Sequence, residues 1–215
     1  MSLKVNEIFY SIQGESSFAG LPCVLVRLTG CNLRCSYCDT RYAYEEGTLW
    51  NIPAIIDRVS SCQSRLVEIT GGEPLLQEET PLLIHELLDR GYDVLIETNG
   101  SKPIRAVDRR CVRIVDIKCP SSGESHNNDY SILDDLTEQD EVKFVVGERN
   151  DYEFAKEILS SRILKTRISR PPILSPVTQR LDPKNLAEWI LDDHLYVRLQ
   201  LQLHKILWGS DTRGV

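Results

Sequence analysis

Short apolar runs recur along the chain at residues 24–28, 66–69, 93–96, 112–117, 142–146, 173–174 and 196–203. Their length and their content of Val, Ile and Leu predict β-strands. Between several of them lie stretches with apolar residues three and four apart, at 52–59, 81–88, 151–159 and 186–191, which predict amphipathic helices. Alternating strands and helices imply a largely parallel sheet with helices packed outside, because parallel neighbours require a crossover connection. The class is α/β; an open doubly wound sheet and a complete or partial β/α barrel both satisfy the pattern. In each the active site lies at the C-terminal ends of the strands.

Four polar motifs fall at those ends. They are Thr29-Gly30-Cys31, Thr70-Gly71-Gly72-Glu73-Pro74, Thr98-Asn99-Gly100, and Lys118-Cys119-Pro120 with the serines that follow. Four loops are therefore expected to converge on one rim. The polar, acidic stretch 121–140 reads as a long exposed loop with one helical turn. No internal repeat is evident, and 215 residues fit a single domain spanning 1–215.

Composition narrows the function. Hydrophobic residues at 41% and charged residues at 27% describe an ordinary globular chain. A net charge of -7 opposes direct binding of nucleic acid, which needs Lys and Arg to release phosphate counterions. The N-terminal residues lack the apolar core of a secretory signal, and no run approaches the roughly 18 apolar residues that span a bilayer. A cytoplasmic location without membrane contact is expected. The seven cysteines, at 23, 31, 35, 38, 62, 111 and 119, are odd in number and unevenly spaced, unlike a disulfide framework. The crowded trio reads as metal ligation and the other four as small core residues.

Within that trio, Cys31, Cys35 and Cys38 follow a C-x3-C-x2-C spacing that lets one loop place three thiolates around an inorganic cluster. Iron-sulfur centres for electron transfer usually take four cysteines, so three leave one iron open to another ligand. Structural zinc is the alternative; it wants four closed Cys or His ligands, no histidine is nearer than His85, and Cys119 or Cys23 would have to complete it in space.

The spacing, with aromatic Tyr37 just before the third cysteine, and Gly71-Gly72-Glu73-Pro74 together resemble the radical S-adenosylmethionine superfamily. The resemblance implies a partial (β/α) barrel, a 4Fe-4S cluster held by the three cysteines, and S-adenosylmethionine bound at the open iron. It further implies reductive cleavage of that cofactor to a 5′-deoxyadenosyl radical, the cofactor carrying the hard chemistry. No side chain is assigned as catalytic, since the radical is the reactive species.

The leading Tyr10-Ser11-Ile12-Gln13-Gly14-Glu15, Arg27 within the first strand, Asp39-Thr40 after the third cysteine, and the closing Arg213-Gly214-Val215 resemble the 7-carboxy-7-deazaguanine synthase family from about residue 5 onward. That family contracts 6-carboxy-5,6,7,8-tetrahydropterin to 7-carboxy-7-deazaguanine with loss of ammonia, toward queuosine and other 7-deazapurines, and it requires magnesium. By this resemblance Ile12, Gln13, Gly14, Arg27, Thr70 and Val215 contact the substrate. Tyr37, Cys38, Asp39, Gly72, Asp116, Ile117 and Lys118 contact S-adenosylmethionine, and Thr40 the magnesium ion. A flavodoxin or ferredoxin is the expected reductant. A homodimer is expected too, and the apolar stretch 196–207 would support it.

Arg27 also stands out without the resemblance. A guanidinium in the middle of Val24-Leu25-Val26-Arg27-Leu28 needs an anion, because burying it alone is very costly. A substrate carboxylate fits its planar fork; an ion pair with Glu68, Glu97 or Asp116 is the structural alternative. Thr40 is a poorer choice on chemistry alone, a hydroxyl being a weak magnesium ligand. Glu97, Asn99 and His204 are placed near the rim without an assigned role, His85 reads as structural, and Cys119 as packing. Two other functions share parts of this pattern: a glycyl-radical activating enzyme, with its Asp-x-Lys such as Asp116 to Lys118, and an iron-sulfur carrier or redox sensor.

Overall fold

The computed structural model describes residues 1–210 and 212–215. Nine strands form one sheet in the order β3-β1-β2-β4-β5-β6-β7-β8-β9. They are β1 (Ser2–Ile12), β2 (Pro22–Leu28), β3 (Thr48–Asn51), β4 (Leu66–Gly71), β5 (Asp93–Thr98), β6 (Val112–Ile117), β7 (Glu141–Val146), β8 (Ile173–Pro176) and β9 (Arg198–Leu199). From β2 to β9 every neighbour is parallel, whereas β1 pairs antiparallel with both β2 and β3. The sheet has two free edges, so the barrel is partial.

Helices α1 (Ile52–Ser61), α2 (Thr80–Asp89), α3 (Arg149–Ser161) and α4 (Pro183–Asp192) supply four of the six parallel crossovers, and a short α5 (Leu203–Trp208) follows β9. Local chemistry sets their starts. The Asn51 side chain accepts from the Ala54 N–H at 2.8 Å with Pro53 in the first turn, and Asp182 caps α4 in the same way beside Pro183. Both arrangements satisfy amide groups that have no partner within the helix.

Along each central strand the side chains alternate between two environments. Val24, Val26, Leu28, Val67, Ile69, Val94 and Ile96 pack outward on α1 and α2. Val115, Ile117, Val142, Phe144, Val146 and Leu174 pack outward with α3 and α4 residues such as Tyr152, Ile158 and Leu186. The inward residues toward the C-terminal ends are largely polar: Arg27, Glu68, Thr70, Glu97, Asp116 and Lys143 all face one cavity. Helix packing fills the outside of the sheet, which frees its concave face for chemistry.

The loop 13–21 spans the gap between the last strand and the first pair. Ser16 and Gln200 exchange two hydrogen bonds of 2.6 Å, the Leu203 N–H donates to the Gly14 carbonyl at 3.0 Å, and the Gln202 amide donates to Glu15 at 2.8 Å. Phe18 of the same loop packs beneath Cys23, Leu66, Leu95, Val112 and Ile114.

Three expectations are corrected. The antiparallel β1 and β3 escape the apolar-run pattern, because β1 is half exposed and alternates over much of its length. The expected strand 196–203 shrinks to Arg198–Leu199, and 203–208 is helical. The stretch 121–140 is not an exposed loop: it makes three short 3-10 turns and buries Ile132, Leu133 and Leu136 in the outer core.

Candidate active site

A cavity of about 750 Å³ opens at the C-terminal ends of the strands. Its wall includes Cys31, Cys35 and Cys38 from the loop after β2, Gly71 and Gly72 after β4, Asn99 after β5, and Lys118 after β6. The four motif-bearing loops do meet on one rim.

The loop after β4 is fastened to the end of β2. The Gly72 N–H donates to the Leu28 carbonyl at 3.3 Å and the Glu73 N–H to the Gly30 carbonyl at 2.7 Å. A Cβ at Gly71, whose φ is +146°, would lie 2.2 Å from the Leu28 oxygen; one at Gly72 would lie 2.2 Å from the Gly30 oxygen and 2.7 Å from Cys31 Cβ. Only glycine permits this approach. Glu73 is fully buried and turns away from the cavity. Its carboxylate accepts from the Leu75 N–H, the Thr98 hydroxyl and, at 2.7 Å, the Asn99 N–H. The motif's glutamate is thus a brace, and its glycines face the cavity.

All seven cysteines are free thiols. Burial raises Cys31 above its ordinary pKa and pushes Cys35 up to about 11, so binding a cluster at the trio releases protons. The Leu33 N–H at 3.4 Å and the Asn99 amide at 3.9 Å point donors at the Cys31 sulfur. Cys23, Cys62, Cys111 and Cys119 lie outside the cavity wall; Cys119 and Cys23 are fully buried. Among the described residues no three His, Cys, Asp or Glu side chains converge on a single-ion site. Three thiols on one wall, with no fourth cysteine in that wall, suit a 4Fe-4S cluster with one open corner. Beside them Asp116 Oδ1 is buried with no hydrogen-bond partner among the described residues, an acceptor left for a ligand that carries amine and hydroxyl groups.

Tyr37, Cys38, Asp39, Gly72, Asp116 and Lys118 all line the cavity. Ile117 does not: between two inward residues of β6 it points outward, fully buried in the outer core. Burial opposes the charge of Lys118, but Asp116 at 2.7 Å outweighs it and raises the lysine's pKa. Asp39, opposed by burial, is held down at about 2 by Lys205 at 2.5 Å and by a 2.9 Å bond from the Thr40 hydroxyl.

Opposite the cysteines, Arg27 and Thr70 are register partners on β2 and β4. The Arg27 Nε donates to Glu7 at 2.8 Å, and Phe9 and Tyr42 each lie 5.8 Å from its guanidinium carbon. Burial opposes this charge, and Tyr42 and Glu7 reverse the effect and raise its pKa. The two Nη groups have no partner among the described residues. The expected ion-pair candidates Glu68, Glu97 and Asp116 are engaged elsewhere; Glu7, across the antiparallel pair, takes that place because β1 runs directly beside β2.

Deeper in the cavity Lys143 bridges Glu15 and Glu97 at 2.5 Å each, and the Gln13 amide donates to Glu68. Burial works against every charge in this group. Lys143 is raised well above its ordinary pKa because Glu15 and Glu97 outweigh that cost, and Glu15 is lowered by the same lysine. Burial and then Glu97 and Glu15 raise Glu68 well above the usual carboxylate range. Lys143 was missed in the sequence, although a charge set within Val142-Lys143-Phe144-Val145-Val146 is the signal that singled out Arg27.

Ile12, Gln13, Gly14, Thr40 and Val215 also line the cavity. His204 does too, from α5 and not from a strand end; its pKa is lowered by burial. A Cβ at Gly14 would sit 2.3 Å from the His204 ring nitrogen Nδ1, so α5 seats directly on this glycine.

Comparison with known proteins agrees with the geometry. Residues 25–114 match the model of the Radical SAM superfamily, a span from β2 into β6. The 7-carboxy-7-deazaguanine synthase of Koribacter versatilis is 44% identical over 99% of this chain and all of that protein, and that of Chlorobaculum tepidum 48% identical over 99% and 97%. The crystal structure of QueE from Escherichia coli covers 94% of both chains with a TM-score of 0.78 at 24% identity, a likeness of fold. The glycyl-radical activase and electron-carrier readings are thereby set aside, and the chain belongs to the 7-carboxy-7-deazaguanine synthase family of radical S-adenosylmethionine enzymes.

Proposed function

We propose that this chain contracts 6-carboxy-5,6,7,8-tetrahydropterin to 7-carboxy-7-deazaguanine with release of ammonia, using the residues that face the cavity. The observation that carries the reading is the pairing, in one cavity wall, of three cysteine thiols with an arginine whose Nη groups have no hydrogen-bond partner among the described residues. When bound, the cluster and S-adenosylmethionine supply a carbon radical able to abstract hydrogen. Cys31, Cys35 and Cys38 hold the cluster. The Gly72 backbone and the Asp116 carboxylate take polar groups of the cofactor, and Tyr37, Cys38 and Asp39 line its adenine.

Arg27 receives the substrate carboxylate through its two Nη donors, a bidentate geometry that fixes the ring's orientation. Thr70 and the segment Ile12, Gln13, Gly14 complete the pterin contacts, with Val215 at the cavity's edge. Thr40 would hold a magnesium ion, which would supply positive charge beside the substrate carboxylate; replacing Thr40 by Ala should weaken magnesium dependence, and an unaltered requirement would remove Thr40 from the site. The chain works as one domain in the cytoplasm, and a flavodoxin or ferredoxin reduces it. Exposed Tyr196, Leu201, Ile206 and Leu207 support a homodimer, which sedimentation at micromolar concentration tests. No helix among the described residues is long and apolar enough to cross a membrane.

The decisive experiment incubates reduced, iron-loaded protein with S-adenosylmethionine, magnesium and the carboxytetrahydropterin. Appearance of 7-carboxy-7-deazaguanine supports the reading. Cofactor cleavage with the pterin left intact would refute it.

A further inference from the structure

The segment after α5 returns to the Arg27 station. Arg213 lies with its guanidinium carbon 3.8 Å from the centre of the Tyr42 ring, and its Nη1 reaches Glu46 at 3.4 Å. The same Tyr42 ring lies 5.8 Å from the Arg27 guanidinium, and its hydroxyl donates to Glu7 at 3.1 Å. Glu7 in turn accepts from Arg27 Nε at 2.8 Å, and a Cβ on Gly214 would lie 3.9 Å from the other oxygen of Glu7. One tyrosine and one glutamate therefore serve both the arginine expected to hold the substrate carboxylate and the segment Thr212, Arg213, Gly214, Val215 that forms part of the cavity wall.

We propose that residues 212–215 are a strap over the pterin station and that Tyr42 is its catch, with Arg213, Tyr42 and Glu7 acting as positioning residues for Arg27. The inference rests on the pterin reading above and extends it to residues with no role so far. The physical reasons are three. A guanidinium on an aromatic face is attracted even at an exposed site, and the 3.8 Å approach of the exposed Arg213 to the half-buried Tyr42 ring is close. Among the described residues Glu7 occupies only Nε of Arg27, which fixes the guanidinium plane and leaves the carboxylate-matching Nη pair to a ligand. Exposed terminal segments lose order unless something ties them down, and the contacts with Tyr42 and Glu46 are the tie.

The test uses full-length, iron-loaded Arg213→Ala, Tyr42→Leu and Tyr42→Phe, with iron per chain as the control for an intact fold. Amide hydrogen exchange at 212–215 is measured without ligand, and KM and kcat with the carboxytetrahydropterin. Arg213→Ala and Tyr42→Leu should each speed exchange of the strap and raise KM by about two- to fivefold, the scale of one exposed cation–π contact, with a smaller change in kcat. Tyr42→Phe keeps the ring, so strap exchange should stay near the parent value while KM rises modestly through loss of the Glu7 bond. Unchanged exchange in both Arg213→Ala and Tyr42→Leu overturns the catch, and faster exchange with unchanged KM overturns the strap's role. A parent protein that cleaves S-adenosylmethionine and leaves the pterin intact overturns the substrate reading instead, an outcome read on the parent alone.

Discussion

The carboxylate of Glu73 and the backbone N–H of Asn99 meet at 2.7 Å. This bond joins the loop after β4 to the loop after β5, and the Thr98 hydroxyl donates to the same carboxylate. Because the Asn99 side chain approaches the Cys31 sulfur, one buried glutamate fixes the relation of two cofactor-facing loops. Replacing Glu73 by Ala strands three donors, at about 1–3 kcal/mol for each that water does not rescue. The variant should lose thermal stability and bind S-adenosylmethionine weakly; calorimetry and equilibrium dialysis measure the two. Unchanged values in both would show that the brace is dispensable.

Gly72 has no room for a methyl group, since a Cβ would meet the Gly30 oxygen at 2.2 Å and Cys31 Cβ at 2.7 Å. Gly72→Ala must therefore push the cysteine loop from the end of β4, at the cost of about 1–3 kcal/mol typical of overpacking. Iron per chain after anaerobic reconstitution should fall, and full iron loading would contradict the packing argument.

At Arg27 the expectation concerns the substrate. Lys offers a single Nζ in place of the paired Nη groups and cannot form the fork, so Arg27→Lys should raise the pterin KM by about 10–100-fold, equivalent to the 1.5–3 kcal/mol of a hydrogen bond to a charged group. Cluster content should not change. An unaltered KM would reject the carboxylate clamp.

Stability should depend on pH through Glu68. Its folded pKa is raised well above the ordinary 4.5 by burial and by the neighbouring Glu97 and Glu15, so the folded chain keeps this proton after the unfolded chain has lost it. The contribution is full below pH 4.5 and is lost progressively as pH rises from there toward the folded pKa. Glu68→Gln keeps an acceptor for Gln13 and removes the titration, so its melting temperature relative to the parent should climb as pH rises above 4.5. A difference that is flat with pH would place the raised pKa elsewhere.

The parallel core and the rim were legible because Val, Ile and Leu runs mark buried strands and the cysteine spacing is local. The antiparallel β1 was not, since a half-exposed strand carries a diluted alternation, and with it Glu7, the true partner of Arg27, was hidden. Tyr42 and Arg213 lie 171 positions apart in the numbering and are joined only by the fold, so no spacing announces them. The strand expected over 196–203 shrank to two residues because Leu199, Leu201 and Leu203 satisfy a short apolar run that a strand or the approach to a helix can carry. Ile117 was grouped with its neighbours by position in sequence, while the pleat sends it to the opposite face.

The gap between β9 and β1 is spanned by the Gln200 side chain on the Ser16 backbone, the Gln202 side chain on Glu15 and a single Leu203-to-Gly14 backbone bond, where every other junction along the barrel wall is a backbone ladder. Parting a few amide and carboxylate contacts takes far less work than stripping a strand from a sheet. The wall therefore has a built-in parting line, and Gly14 and His204, which line the cavity, sit on it. A strain on the wall would part it there first, while the strands that carry Arg27 and Thr70 stay in register.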